Sequence, residues 1–298
     1  MPVTSSRSFH VSVEGEPHVN VLVLGPLEIR RNGEDGEDVA VRRGRPRRLL
    51  LSLLLRRGGA VPQETLIDQL WADEPPVNAE NALQILISYL RKSLRGTGLS
   101  IDRAPTGYRL VVQPDAVDMQ VFERLVDQLR SPGLLVPDRL RLATSAMALW
   151  RGPALSEAVD DPFAQGDIVR LDELRLQAFE ARTAALLELG RHDEALPDLR
   201  QLVRENPFRE ALHGQLALAL YRAGRQADAL RALEQARDAL VDELGLDPSP
   251  ELQRLAQRIL RQDPALAPVP PDPAASGVGA VDVVGPANPS ASGTGLPG

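Results

Sequence analysis

The chain has 298 residues, a net charge of −7, 43 % hydrophobic but only 3 % aromatic residues, and no cysteine. That length allows two domains with buried cores built mainly from Leu, Ala and Val, and the missing cysteines exclude disulfides and thiolate metal sites. His10, His18, His192 and His213 form no ligand-like pair, no apolar run approaches the ~20 residues of a membrane span, and no signal-peptide pattern opens the chain, so a cytoplasmic protein with no metal or other cofactor is expected.

The charge is unevenly spread. Residues 21–112 hold 14 Arg or Lys against 11 Asp or Glu, whereas residues 113–298 hold 19 against 28. A basic N-terminal half joined to an acidic C-terminal half points to one anionic partner and one different partner.

Residues 1–19 are polar and aperiodic, the pattern of a loose arm. VNVLVLG, from Val19 to Gly25, alternates and is β-branched, which predicts a strand. Pro26 breaks it. LEIRRNG continues as a second strand into an Asn32-Gly33 turn, and EDVAV closes a small antiparallel sheet. RRGRPRR, residues 42–48, carries five arginines in seven positions. Pro46 suits the first turn of a helix, and LLLSLLLRRGG is apolar enough to be a core helix, ended by Gly58. Gln63 to Trp71 is a short helix with Leu66, Ile67, Leu70 and Trp71 inward.

Asn78 to Gly96, NAENALQILISYLRKSLRG, is the most informative stretch. At 100° per residue Leu83, Ile87, Leu90 and Leu94 fall within roughly 40° of one line, a core-facing stripe. Asn78, Asn81, Gln84, Ile85, Ser88, Tyr89, Lys92 and Arg95 occupy the arc from roughly 100° to 240°. Amides, hydroxyls and cations of that kind meet base edges and phosphates in a major groove. A plainly solvated helix face has the same composition, so the surroundings decide. Leu99 to Val112 follows as a hairpin about a turn at Pro105 to Gly107.

Sheet, three helices and hairpin in that order make a winged helix of the kind attached to two-component response regulators. There the third helix enters the major groove, the hairpin touches nearby backbone or minor groove, and basic residues elsewhere sit on phosphate. On that basis Gln84, Ser88 and Tyr89 are the base-reading candidates. Asn81, Arg91, Lys92 and Arg95 are phosphate candidates, with Arg45, Arg47 and Arg48 at the mouth of the first helix. Arg103, Thr106 and Arg109 are the wing candidates. Ala104 and Pro105 stand where response-regulator wings often carry an arginine, which argues against minor-groove reading. For Tyr89, packing against the wing is the competing role.

From Met119 onward the spacing is helical. Gly190-Arg191 with Ala195-Leu196 recurs as Gly224-Arg225 with Ala229-Leu230, an offset of 34 residues. That is the tetratricopeptide period, with small residues where paired helices cross; Pro207 lies in the inter-repeat turn. Such stacks present grooves for protein contacts. Asp160-Asp161 before Pro162 reads as a turn or helix cap. Residues 262–298 are Pro, Ala, Gly, Ser and Val with almost no charge, which predicts a disordered tail. GTGLPG at 293–298 is formally G-x-G-x-x-G but has no strand before it or helix after it. No Ser/His/Asp set emerges from spacing, so an enzyme is not expected.

VLGPLEIR, NALQILISYLRKSL, PTGYRL, VFERLV, ALWRGPAL, LALYRAGRQADALRALEQARDAL and VDELGLDPSPELQRL together resemble the Streptomyces antibiotic regulatory protein family, over roughly residues 20–261. The resemblance implies a mainly α protein: arm 1–19, winged helix 20–113, tetratricopeptide-like bacterial transcriptional activation domain 114–261, and tail 262–298. It implies an activator that binds direct repeats near a promoter's −35 element, recruits RNA polymerase holoenzyme including its sigma factor, and switches on a secondary-metabolite cluster. A second protomer on the DNA and no membrane partner go with that. Neither a phosphate-loop pattern nor a receiver domain is seen. The competing reading is a protein–protein adaptor or ligand sensor without productive DNA binding, which would show little affinity for duplex even in dilute salt.

Overall fold

The computed structural model describes residues 21–31, 37–72 and 74–267. The expected arm, the Asn32-Gly33 turn, residues 268–298 and with them GTGLPG lie outside the described residues.

Among the described residues, the N-terminal sheet is smaller than its sequence predicts. β1 (Val21–Leu22) pairs antiparallel with β2 (Glu28–Ile29). The third expected strand is reduced to an Arg30–Asp38 bridge. The reason lies far along the chain. From Val23 onward the backbone of the predicted strand is claimed by residues more than ninety positions away. Asp118 accepts the N–H groups of Val23 and Leu24 at 2.9 and 3.0 Å. Leu24 and Val23 in turn accept from the N–H groups of Arg151 and Leu155 at 2.7 and 2.8 Å.

α1 (Arg45–Leu55) carries Pro46 in its first turn, as expected, and buries Leu49 to Leu54. A two-residue strand, β3 (Val61–Pro62), precedes α2 (Gln63–Trp71), whose Leu66 and Leu70 are buried while Ile67 and Trp71 are half-buried. α3 (Ala79–Ser93) is followed by the hairpin of β4 (Ser100–Arg103) and β5 (Gly107–Val111). β3 adds to the free edge of β5, giving the order β3-β5-β4. Sequence periodicity cannot show a strand of two residues. Gly107 makes that approach possible, because a Cβ there would lie 1.9 Å from the Val61 carbonyl oxygen. Gly107→Ala is therefore expected to destabilise the protein by about 3 kcal/mol, the upper end of overpacking costs, since backbone cannot give way as a side chain does. A fall in the urea midpoint at unchanged m-value measures it.

The helical half runs α4 (Asp118–Leu129), α5 (Val136–Ala148), α6 (Pro162–Glu188), α7 (His192–Glu205), α8 (Glu210–Arg222), α9 (Gln226–Leu244) and α10 (Pro250–Leu260). The 34-residue offset marks one turn used twice. Gly190 and Gly224 sit at φ 74° and 73° just past the ends of α6 and α8. In each turn the following arginine N–H bonds back, Arg191 to Leu186 and Arg225 to Leu220, at 2.8 and 2.9 Å. The glycines take the left-handed conformation that closes a helix end. Ala195 and Ala229 are fully buried where α7 and α9 meet their partners. Pro207 lies in the turn between the two helix pairs.

Burial gathers the described residues into two large cores. One core runs from Val21 to Ala178 and joins the winged helix to α4, α5 and the first part of α6. A second core runs from Leu186 to Leu266. The expected tail boundary also moves. Leu266 is buried at the end of the second core, and Arg222 Nε donates to its carbonyl at 3.1 Å, so packed chain continues past residue 262. Among the described residues, no helix is long and apolar enough to cross a membrane.

Candidate nucleic-acid interface

α3 is built to show one face. Asn78 caps its N-terminus by accepting the N–H of Asn81 at 2.9 Å, as capping residues do. Arg91 and Lys92 lie in its last turn, where cations oppose the helix dipole. Leu83, Ile87, Leu90 and Leu94 are buried to 1 % exposure or less, as the periodicity predicts. Asn81, Gln84, Ile85, Ser88, Lys92 and Arg95 are exposed. Among the described residues, no part of the helical half covers them.

Two residues of this helix are placed differently. Tyr89 is half-buried and packs against the first core. Its hydroxyl accepts the backbone N–H of Arg42 at 3.0 Å, and the Arg42 guanidinium lies 5.2 Å from its ring centre. It therefore packs against the loop before α1. Arg91 keeps an exposed side chain but its Nε donates to the Ile101 carbonyl at 2.8 Å, tying α3 to β4.

The basic run splits into two groups. Arg47 donates to the carbonyls of Val41 and Leu27 at 2.9 and 3.4 Å and pairs with Glu157. Arg48 donates to the Gln69 carbonyl at 2.9 Å and pairs with Asp161. Both are thus engaged with the helical half, where the acidic residues before α6 neutralise them. Asp161, expected as a cap, does hold the cap position of α6, yet its carboxylate goes to Arg48. Arg45 is exposed, lies over Trp71 at 5.5 Å and donates to the Leu70 carbonyl at 3.3 Å. Arg42 and Arg43 are exposed.

In the wing, Ala104 and Gly107 exchange backbone hydrogen bonds at 2.9 and 3.3 Å around Pro105 and Thr106, and Thr106 is exposed. Arg103 donates to the Tyr108 hydroxyl at 2.6 Å and lies over its ring. Arg109 faces Asp102 at 3.6 Å and is half exposed. Each thus already has a partner on the hairpin.

Asp118 was invisible from sequence, a lone carboxylate between Val117 and Met119. It is 0 % exposed and accepts from the N–H groups of Val23, Leu24 and Met119. Burial pushes its carboxyl up to about 6, against those three donors and Arg151. With Arg57 gripping Glu123 at 2.6 and 2.7 Å and Arg151 donating to Glu28 at 2.6 Å, it locks the winged helix onto the helical half.

An uncovered third helix with amides and cations, beside a hairpin and carried on a helical-repeat body, defines a winged-helix transcriptional regulator. Residues 39–110 match the family "Transcriptional regulatory protein, C terminal", and residues 117–260 match "Bacterial transcriptional activator domain". The chain is 36 % identical over 276 residues to Regulatory protein DnrI of Streptomyces peucetius, covering 87 % of this chain and 99 % of DnrI. It is 42 % identical over 247 residues to Regulatory protein AfsR of Streptomyces coelicolor, covering 82 % of this chain but spanning only 24 % of AfsR. Among solved structures it is similar to Mycobacterium tuberculosis EmbR in complex with a low affinity phosphopeptide, with a TM-score of 0.73, 31 % identity, and coverage of 85 % of this chain and 66 % of that one. The chain belongs to the Streptomyces antibiotic regulatory protein family.

Proposed function

We propose that the chain activates transcription of a secondary-metabolite cluster by seating α3 in the major groove of promoter DNA. The observation that carries this reading is the uncovered face of α3, where Gln84 and Ser88 stand mid-helix between Asn81 and the cations Lys92 and Arg95. In this arrangement Gln84 and Ser88 read base edges. Asn81, Lys92, Arg95 and the exposed Arg45 hold phosphate, and Arg103, Thr106 and Arg109 bring the wing against the neighbouring backbone. Two protomers on direct repeats near the −35 element, and contact of the acidic helical half with RNA polymerase and its sigma factor, complete the proposal. Its support is the charge asymmetry of the two halves and the groove-forming repeat.

Gln84→Ala is expected to relax site preference by about 1–3 kcal/mol of discrimination, while Lys92→Ala weakens binding to all duplexes alike and lowers the salt slope by about 0.9. Binding isotherms on a selected site and a random duplex, across a salt series, separate the two. Equal effects of both variants on both duplexes would remove this division of roles. No duplex affinity in dilute salt would favour the adaptor.

A further inference from the structure

We infer that the loop Arg42–Gly44 is a further phosphate-holding element beside α3, and that Tyr89 is its positioning residue and not a reader of bases; this rests on the DNA binding proposed above. The loop is pinned at both ends. Before it, Val41 is buried and its carbonyl accepts from Arg47 Nε at 2.9 Å. After it, the Gly44 carbonyl accepts the N–H groups of Arg47 and Arg48, both at 3.1 Å. Gly44 itself sits at φ 81°, a turn that suits glycine. In the middle, the Tyr89 hydroxyl takes the Arg42 N–H and the Tyr89 ring faces the Arg42 guanidinium.

This arrangement gives Tyr89 a job that competes with base reading. Its hydroxyl is already an acceptor, and its ring is partly covered by a cation. What it presents to the groove side is not itself but the loop. Arg42 and Arg43 are both exposed, and among the described residues neither enters an ion pair with a carboxylate, unlike Arg47 and Arg48. Because Tyr89 follows Ser88 directly, the loop stands at the flank of the exposed face near its middle. Two guanidiniums without a carboxylate partner among the described residues, on a loop at that place, suit phosphates at the groove edge, where arginine forms bidentate hydrogen bonds. The basic run thus divides its labour. Arg47 and Arg48 hold the fold, and their engagement fixes the loop that carries Arg42 and Arg43.

The test measures binding of the full chain to two duplexes, one of random sequence and one enriched by the wild-type protein from a randomised pool, over a salt series. Arg42→Ala and Arg43→Ala should each lower the slope of log K against log salt by about 0.9, with equal loss on both duplexes. Tyr89→Phe, which keeps the ring but loses the acceptor, should weaken both duplexes alike and leave their ratio unchanged. Tyr89→Ala combined with Arg42→Ala should lose no more than Tyr89→Ala alone. If wild type binds duplex yet both arginine variants keep its salt slope, the loop assignment is overturned and the α3 reading stands. If Tyr89→Phe erases the preference for the enriched site at an unchanged slope, Tyr89 returns to base reading and its positioning role is overturned. A wild-type chain that binds neither duplex in dilute salt overturns the DNA reading and this inference with it.

Discussion

Asp118→Ala is expected to cost on the order of 3 kcal/mol of stability at pH 7. The substitution orphans three backbone donors, Val23, Leu24 and Met119 N–H, inside a fully buried site. Each buried, unsatisfied donor costs about 1–3 kcal/mol, and relief of the desolvated carboxylate offsets part of the sum. The pH dependence follows from the raised carboxyl. Burial lifts it from 3.8 to about 6, so between those values the native state binds a proton that the unfolded chain does not. Protonation therefore favours the native wild type as pH falls through 6, and this gain is fully present below 3.8 and lost as pH rises past 6. The alanine variant lacks that gain. Its deficit should widen, by on the order of 1 kcal/mol, between pH 7 and pH 5. Urea melts of both proteins at the two pH values measure this. A deficit that narrows on acidification would contradict it.

The second large effect concerns where the chain can be cut. A fragment ending at Gln113 is expected not to fold cooperatively, although it contains every element of the winged helix. It lacks Val117, Met119, Phe122 and Val126, all exposed by 2 % or less in the first core, and it lacks Asp118. Losing a single large core side chain costs about 2–5 kcal/mol, and a whole domain has only about 5–15 kcal/mol of net stability. A broad urea transition with collapsed amide dispersion is the expected result. A sharp two-state melt of the fragment would show that the first core is divisible.

What the sequence makes legible follows from which signals are local. The helices of the winged helix, the buried stripe of α3 and the repeat turns at Gly190 and Gly224 all follow from residue periodicity and turn chemistry within one or two turns of chain. The strand from Val19 onward is overestimated because its backbone partners are Asp118, Arg151 and Leu155, which no window of neighbours contains. Arg47 and Arg48 look like phosphate ligands for the same reason. Glu157 and Asp161, which neutralise them, are 110 and 113 positions away. Tyr89 falls on the outward arc by angle, yet a loop 47 positions earlier covers its hydroxyl. The exposed remainder, Asn81, Gln84, Ser88, Lys92 and Arg95, is legible because, among the described residues, no distant segment covers it.

α6 runs 27 residues without a break, with Ala164, Leu171 and Ala178 in the first core and Leu186 and Leu187 in the second. At 1.5 Å per residue it is a rod about 40 Å long. A chimaera between relatives should accordingly be spliced inside this rod, between Ala178 and Leu186, and not between the two family segments. Joined there, Asp118, Glu157 and Asp161 stay in the same half as the arginines they hold.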